Sequence, residues 1–329
     1  MSAIGLLGCG AALPQQVRTN DDPLFDTLRQ KAQQDTSPRA ETSLFKGIER
    51  RHYLTEDESL ADLVTHACLD ALSHAHLETQ QIDRLYGYLS VAEYLAPNAL
   101  FAVHAALALP THCWVLPINS EYTNFLAGLI LARESIMAGH STYGLVACGL
   151  DWTRHMDYTQ GHALSIGDGA GAAVVGRGAT YEILDYHVET LSHKYGAMTM
   201  ATRPNQPANT YGSRTYYRID PDVGIDSLID DGMNGPVRSI NALLSKHHIQ
   251  AAHTAMLCYQ ASRSLLDYWQ QELKPARMLD TLADNGNMVF ATLPVNLAHF
   301  IDELDEPYVI LSSLGVGYHQ TAVLLKRVC

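Results

Sequence analysis

One stretch, residues 112–171, constrains the fold more than any other. It opens with an apolar run, Cys113-Trp114-Val115-Leu116-Pro117-Ile118, short enough for a buried strand. Asn119-Ser120-Glu121-Tyr122-Thr123 follows, rich in side chains that cap helices. Over 124–138, Phe125, Leu126, Leu129, Ile130, Ile136 and Met137 are apolar on more than one side. That pattern predicts a buried helix, closed by Gly139. Residues 143–148 read as a second apolar strand, and Ile166-Gly167-Asp168-Gly169-Ala170-Gly171 leads small residues into a β-branched third.

A strand that turns sharply into a buried helix is a place to do chemistry. The first helical residues lie in the positive end of the helix dipole, beside unpaired backbone N–H groups. A cysteine there ionises easily. In this chain the position for such a nucleophile is held by Tyr122.

The rest of the chain alternates strands and helices. Residues 3–10 form a short strand ending in glycines. Gly8-Cys9-Gly10 lacks the third glycine of a dinucleotide loop, since Leu13 stands there and Pro14 follows. Residues 15–43 are polar and helical in part, with Asp21-Asp22-Pro23 as a start signal. Lys46-Gly47-Ile48-Glu49-Arg50-Arg51-His52 is a basic turn, either a solvated loop or a face for an anionic phosphate group. Residues 59–76 predict an amphipathic helix burying Leu60, Leu63, Val64, Ala67, Leu69 and Leu72. A strand over 82–89 and a small-residue helix over 98–107 come next.

From residue 180 the pattern begins again, with strands over 181–186, 254–259, 279–284, 308–314 and 320–326 and helices over 237–247, 261–272 and 290–304. Residues 200–219 are irregular and read as a lid or channel loop. This order predicts α/β layers and two halves of one layout, 1–175 and 176–329.

Composition narrows the partners. A net charge of −13, from 22 basic and 35 acidic residues, argues against nucleic acid or an anionic membrane. The six cysteines are scattered inside apolar runs without metal-binding spacing, so reduced thiols in a cytoplasmic protein are expected, and no metal. No basic segment leads into an apolar one at the N-terminus, and no apolar run nears the ~20 residues that cross a bilayer.

Several segments together resemble the β-ketoacyl-acyl-carrier-protein synthase III group of the thiolase superfamily. Gly8-x-Gly10-x-x-Leu13-Pro14 followed by Val17-Arg18-Thr19-Asn20 is similar to its first strand and turn. Gly47-Ile48-Glu49-Arg50-Arg51 is similar to its Gly-Ile-x-x-Arg segment, and Gly167-Asp168-Gly169-Ala170-Gly171-Ala172 to its glycine loop. Gly286-Asn287 and Gly315-Val316-Gly317 are similar to its late glycine motifs. The resemblance implies a thiolase fold, a duplicated α-β-α-β-α five-layer sandwich. It implies a homodimer paired near 113–118, or a heterodimer with an active homologue. It implies acyl-CoA or acyl carrier protein as partner, the phosphopantetheine arriving as substrate with no resident cofactor, and Arg50 and Arg51 as candidates to hold its phosphate.

The family's Cys, His and Asn do not carry over whole. By the resemblance Tyr122 stands at the Cys position, Tyr259 at the His position, and Asn287 as the family has it. Ser120 and Glu121 are near enough to serve as nucleophile or base, and His319 follows the last glycine turn. Cys258 adjoins Tyr259, but strand alternation points it the other way. A phenol is rarely ionised at neutral pH, so Tyr122 is a poor acyl acceptor. Tyr259 and Asn287 can still donate hydrogen bonds to a thioester carbonyl or an enolate.

Two functions stay open. One is an acyltransferase acting on an acyl thioester in fatty acid, polyketide or secondary-metabolite biosynthesis without the usual cysteine. The other is an inactive acyl-binding or scaffold subunit. Each residue also has a structural role open to it: Tyr122 as filler, Tyr259 as a bonded core tyrosine, Asn287 in a turn, Asp168 as a brace and His319 as packing.

Overall fold

The computed structural model describes residues 2–34, 46–91, 94, 96–202, 215–219 and 224–328. Ten strands hydrogen-bond side by side in two five-stranded blocks of matching topology. The first block comprises β1 (Ile4–Ala12), β4 (Arg84–Ser90), β5 (Trp114–Pro117), β6 (Gly144–Leu150) and β7 (Gly169–Arg177); β2 (Gln16–Thr19) and β3 (Arg50–Tyr53) pair separately as a ribbon. The second comprises β8 (Tyr181–Thr190), β11 (Thr254–Cys258), β12 (Arg277–Leu279), β13 (Tyr308–Gly315) and β14 (His319–Arg327); β9 (Met198–Thr202) and β10 (Thr215–Ile219) form another ribbon.

The pairing repeats strand for strand. In the first block β1 runs antiparallel to β7, β7 antiparallel to β6, and β6, β4 and β5 are parallel. In the second, β8 runs antiparallel to β14, β14 antiparallel to β13, and β13, β11 and β12 are parallel. Among the described residues, only Gly5 and Leu6 of β1 pair with β8 to join the blocks.

The helices are α1 (Asp26–Gln34), α2 (Leu60–His74), α3 (Leu100–Ala106), α4 (Asn124–Met137), α5 (Gly224–Ser227), α6 (Asn234–Lys246), α7 (Arg263–Leu273), α8 (Leu282–Asn285) and α9 (Thr292–Phe300). Three large apolar clusters show the layering. One packs α2 and α3 on the outer face of the first block, and another packs α6 and α7 on the second. The largest joins both blocks through α4 and α9, with Phe125, Leu126, Leu129, Leu293, Val295 and Leu297 beside Ala255, Leu257, Val309 and Leu311. Burying a Leu or Phe of this kind stabilises by about 1.5–3 kcal/mol, so α4, apolar nearly all round, is held from both sides. This is the five-layer arrangement of a thiolase fold.

The Gly8-Cys9-Gly10 pattern has a packing cause. A Cβ at Gly8 would lie 2.4 Å from Ala75 N, and one at Gly10 would lie 2.2 Å from Ala71 N. The two glycines let α2 rest directly on β1.

Several expectations need correction. The strand expected to be buried at 113–118 is the edge of the first block, and Trp114 is 58% exposed. Leu69, placed on the buried side of α2, is exposed. The strand expected over 279–284 ends at Leu279, because Thr281 turns the chain into α8. The stretch 200–219 is bounded by the paired strands β9 and β10, while its centre, 203–214, lies outside the described residues. No helix among the described residues is long and apolar enough to cross a membrane.

Candidate functional site

The turn from β5 into α4 is held in a strained conformation. Glu121 has φ +44° and Tyr122 φ +76°, a region that costs a bulky residue on the order of 1–3 kcal/mol. Both halves of the chain hold it there. The Thr123 N–H and hydroxyl both donate to Ser120 O, at 2.9 and 2.8 Å. The Ser313 hydroxyl donates to Tyr122 O at 3.0 Å. Gly315 lies so close that a Cβ built on it would stand 1.4 Å from Glu121 O.

The ring of Tyr122 enters an aromatic group. Its centroid is 5.7 Å from that of Trp152 and 6.3 Å from that of Tyr259. Trp152 meets Phe290 edge-on at 6.3 Å, and Phe290 meets Tyr88 at 5.7 Å. The Trp152 indole N–H donates to Ser90 Oγ at 3.0 Å. Glu121 is exposed, and its charge adds to the burial that raises the Tyr88 phenol.

Asn287 completes this group. Its Oδ1 accepts from Val289 N at 2.9 Å, which turns Nδ2 toward Tyr259, where it donates to the hydroxyl oxygen at 3.1 Å. Burial pushes the Tyr259 phenol up to about 12, against the opposing effect of the Asn287 bond. Tyr259 therefore stays protonated at neutral pH and remains a donor. The second Nδ2–H of Asn287 and the Tyr259 O–H are two donors on neighbouring atoms.

The backbone around Asn287 is tied down. Asn287 N donates to Ser165 O at 2.6 Å, and Gly167 N donates to Asn287 O at 3.1 Å. A buried polar network supports the same turn. Gln260 Nε2 donates to Gly286 O at 2.7 Å, while Gln260 Oε1 accepts from Thr281 N at 3.1 Å and from Asn296 Nδ2 at 2.9 Å. Sequence reasoning passed over Gln260, Thr281, Asn296 and Trp152. The one signal for the first three was polarity inside apolar surroundings, and Trp152 opens a 3-10 turn, Trp152–His155, too short to show periodicity.

The remaining candidates divide. Ser120 Oγ is 3.2 Å from His319 Nε2, and His319 Nδ1 is 2.7 Å from Thr190 Oγ1. His319 and Ser120 thus form one hydrogen-bonded pair, and Tyr259 and Asn287 another. Burial lowers the His319 pKa. Cys258 packs into the outer cluster and Tyr259 against the central one, as alternation requires. Burial pushes the Cys258 thiol up to about 12, which removes it as a nucleophile.

The phosphate role expected of Arg51 is overturned. Arg51 is 1% exposed, and its guanidinium donates to Leu164 O at 2.6 and 2.9 Å and to Asn20 Oδ1 at 2.8 Å. It is a structural cation with its donors engaged inside the protein. Arg50 is exposed but paired with Asp284, to which its Nε donates at 2.8 Å.

Asp168 braces the glycine loop. Its buried carboxylate accepts from Leu54 N at 2.9 Å, Thr153 N at 3.0 Å and the Thr153 hydroxyl. Burial pushes its carboxyl up to about 7 against these bonds. Asp168→Asn is expected to destabilise the protein by about 2–4 kcal/mol, because an amide NH2 must face donors. An unchanged midpoint of urea unfolding would contradict this.

The chain has full-length relatives. A family model for 3-oxoacyl-[acyl-carrier-protein] synthase III matches residues 117–192. The β-ketoacyl-[acyl-carrier-protein] synthase III of Gloeobacter violaceus is 26% identical over 99% of both chains. That of Rhodospirillum centenum is 24% identical over 98% of both. The crystal structure of 3-oxoacyl-(acyl carrier protein) synthase III from Pseudomonas aeruginosa PAO1 superposes with a TM-score of 0.80 at 24% identity, over 99% of this chain and 98% of that one. A variant of Xanthomonas campestris OleA with bound lauric acid and lauroyl-CoA superposes with a TM-score of 0.84 at 17% identity, over 98% of this chain and 99% of that one.

Proposed function

The chain is a β-ketoacyl-acyl-carrier-protein synthase III-like protein of the thiolase superfamily, and on that premise we propose that it turns over acyl thioesters without a cysteine nucleophile. The donor is an acyl-CoA or an acyl carrier protein. The acyl carbonyl lies against the Tyr259 hydroxyl and the Asn287 amide, which stabilise negative charge as it develops on oxygen. The observation that carries this reading is the Asn287–Tyr259 hydrogen bond of 3.1 Å, with the Asn287 amide oriented by Val289 N. Tyr122 contributes shape, its ring lying against Trp152 and Tyr259.

That same aromatic packing favours a second reading, an acyl-binding or scaffold subunit that pairs with an active homologue. Release of free thiol from a panel of acyl-CoA thioesters separates the two. Turnover by the wild type that drops in Tyr259→Phe supports the enzyme. No turnover with any thioester, and undiminished support of a partner enzyme by Asn287→Ala, would establish the scaffold.

The protein acts as a dimer joined along the β5 edge, where Trp114 stands exposed. Trp114→Glu is expected to yield monomers at micromolar concentration, because it puts a charge in the apolar centre of that interface. Light scattering that shows a wild-type monomer would refute the dimer.

A further inference from the structure

The carbonyl-polarising group leaves a second constellation unused. Ser120 Oγ stands 3.2 Å from His319 Nε2, and Thr190 Oγ1 stands 2.7 Å from His319 Nδ1. A hydroxyl within hydrogen-bond reach of a base, with a third group orienting that base, is the arrangement that activates a nucleophile. Three segments supply it: the turn before α4, the first residue of β14 and the last of β8. His319 and Thr190 are direct partners across the β14–β8 ladder, which fixes the ring.

Thr123 constrains one side of the proton arrangement. Its hydroxyl donates to Ser120 O at 2.8 Å, so toward Ser120 Oγ, 3.0 Å away, it is an acceptor. The ring contacts suit either tautomer of His319; the one the nucleophile needs has Nδ1–H donating to Thr190 Oγ1, which leaves Nε2 to accept from Ser120. In that tautomer the Ser120 hydroxyl donates between two acceptors, Thr123 Oγ1 and His319 Nε2. Burial disfavours imidazolium, so the ring is an unprotonated base at neutral pH. Ser120 and His319 are both partly exposed.

We propose that Ser120 is an acyl-accepting nucleophile, with His319 as its general base and Thr190 as a positioning residue, acting on activated acyl esters and thioesters. Ser120 Oγ bonds to the carbonyl carbon as its proton passes to His319 Nε2. The tetrahedral adduct collapses, the carbon–sulfur bond breaks, and the imidazolium protonates the leaving thiolate. Water then attacks the seryl ester and gives a proton to Nε2. The carboxylic acid departs as the Ser120 oxygen regains that proton. The steps use neither Tyr259 nor Asn287.

The test uses p-nitrophenyl acetate and diisopropyl fluorophosphate on the full chain, with the adduct located by peptide mass mapping. A single adduct on Ser120 is expected, absent from Ser120→Ala. His319→Gln is expected to slow acylation about 100-fold or more. Thr190→Val lowers the rate, and Thr190→Ser restores it. The wild-type rate follows the titration of His319, with its inflection below the usual histidine range. Labelling elsewhere, no labelling, or Ser120 labelling indifferent to pH and to His319→Gln would overturn the proposal. The wild-type pH profile decides the matter even if a His319 variant fails to fold.

Discussion

Asn287→Ala is expected to lower thioester turnover by about 100- to 1,000-fold, equivalent to roughly 2.7–4 kcal/mol of lost transition-state stabilisation. The side chain donates to Tyr259 at 3.1 Å and has a further N–H for the substrate oxygen. Alanine removes both, and leaves the Tyr259 hydroxyl without its neighbour. It also leaves Val289 N without the 2.9 Å acceptor at Oδ1, so some stability is lost as well. Tyr259→Phe controls for that, since it deletes one O–H and preserves the ring packed near Tyr122. A drop of about 10- to 100-fold is expected there, with little change in Tm. The measurement is thiol release from acyl-CoA at saturating substrate, with the melting curve of each variant recorded alongside. Wild-type turnover that survives Asn287→Ala would remove Asn287 from the chemistry.

Gly315→Ala is expected to be the most damaging single methyl in the chain near the site. The added Cβ would stand 1.4 Å from Glu121 O, a distance at which no side-chain rotation helps, because the group it meets is backbone. Either β13 or the turn before α4 must move. The turn already holds two residues at positive φ, and the Ser313 bond to Tyr122 O keeps it against β13. A loss of at least about 3 kcal/mol is expected, read as a Tm lowered by on the order of 5–10 °C. Gly196→Ala is the matched control: among the described residues a Cβ there meets nothing within 4 Å, and a change within about 0.5 kcal/mol is expected. Equal melting of the two variants would show that the turn gives way freely. The site would then not be held by the C-terminal half.

Much of the fold was legible because it depends on local pattern. The all-round apolarity of Phe125, Leu126, Leu129 and Ile130 predicted a buried helix, and α4 lies between the two sheet blocks. The apolar strands expected over 143–148, 308–314 and 320–326 were visible for the same reason, and they run over 144–150, 308–315 and 319–327. Errors fell where exposure depends on neighbours. The run at 113–118 is as apolar as a central strand, yet among the described residues β5 has no strand on its outer side. Leu69 is apolar and sits on a helix, but α2 turns it outward.

The candidate site divides along the same line. The chain by itself determined which groups stand at the turn into α4 and after Gly286, and hence that no cysteine is present there. Spacing was sufficient because strand, turn and helix are local structures. Tertiary structure alone decided which of those groups meet. Tyr259 and Asn287 are 28 residues apart and share a hydrogen bond, while Ser120 and His319 are 199 apart and form another. Tertiary structure likewise took Arg51 out of solvent and spent its donors on Leu164 O and Asn20. A hydrogen bond depends on distances of a few tenths of an ångström between atoms brought together by packing, and no periodicity along the chain encodes those distances.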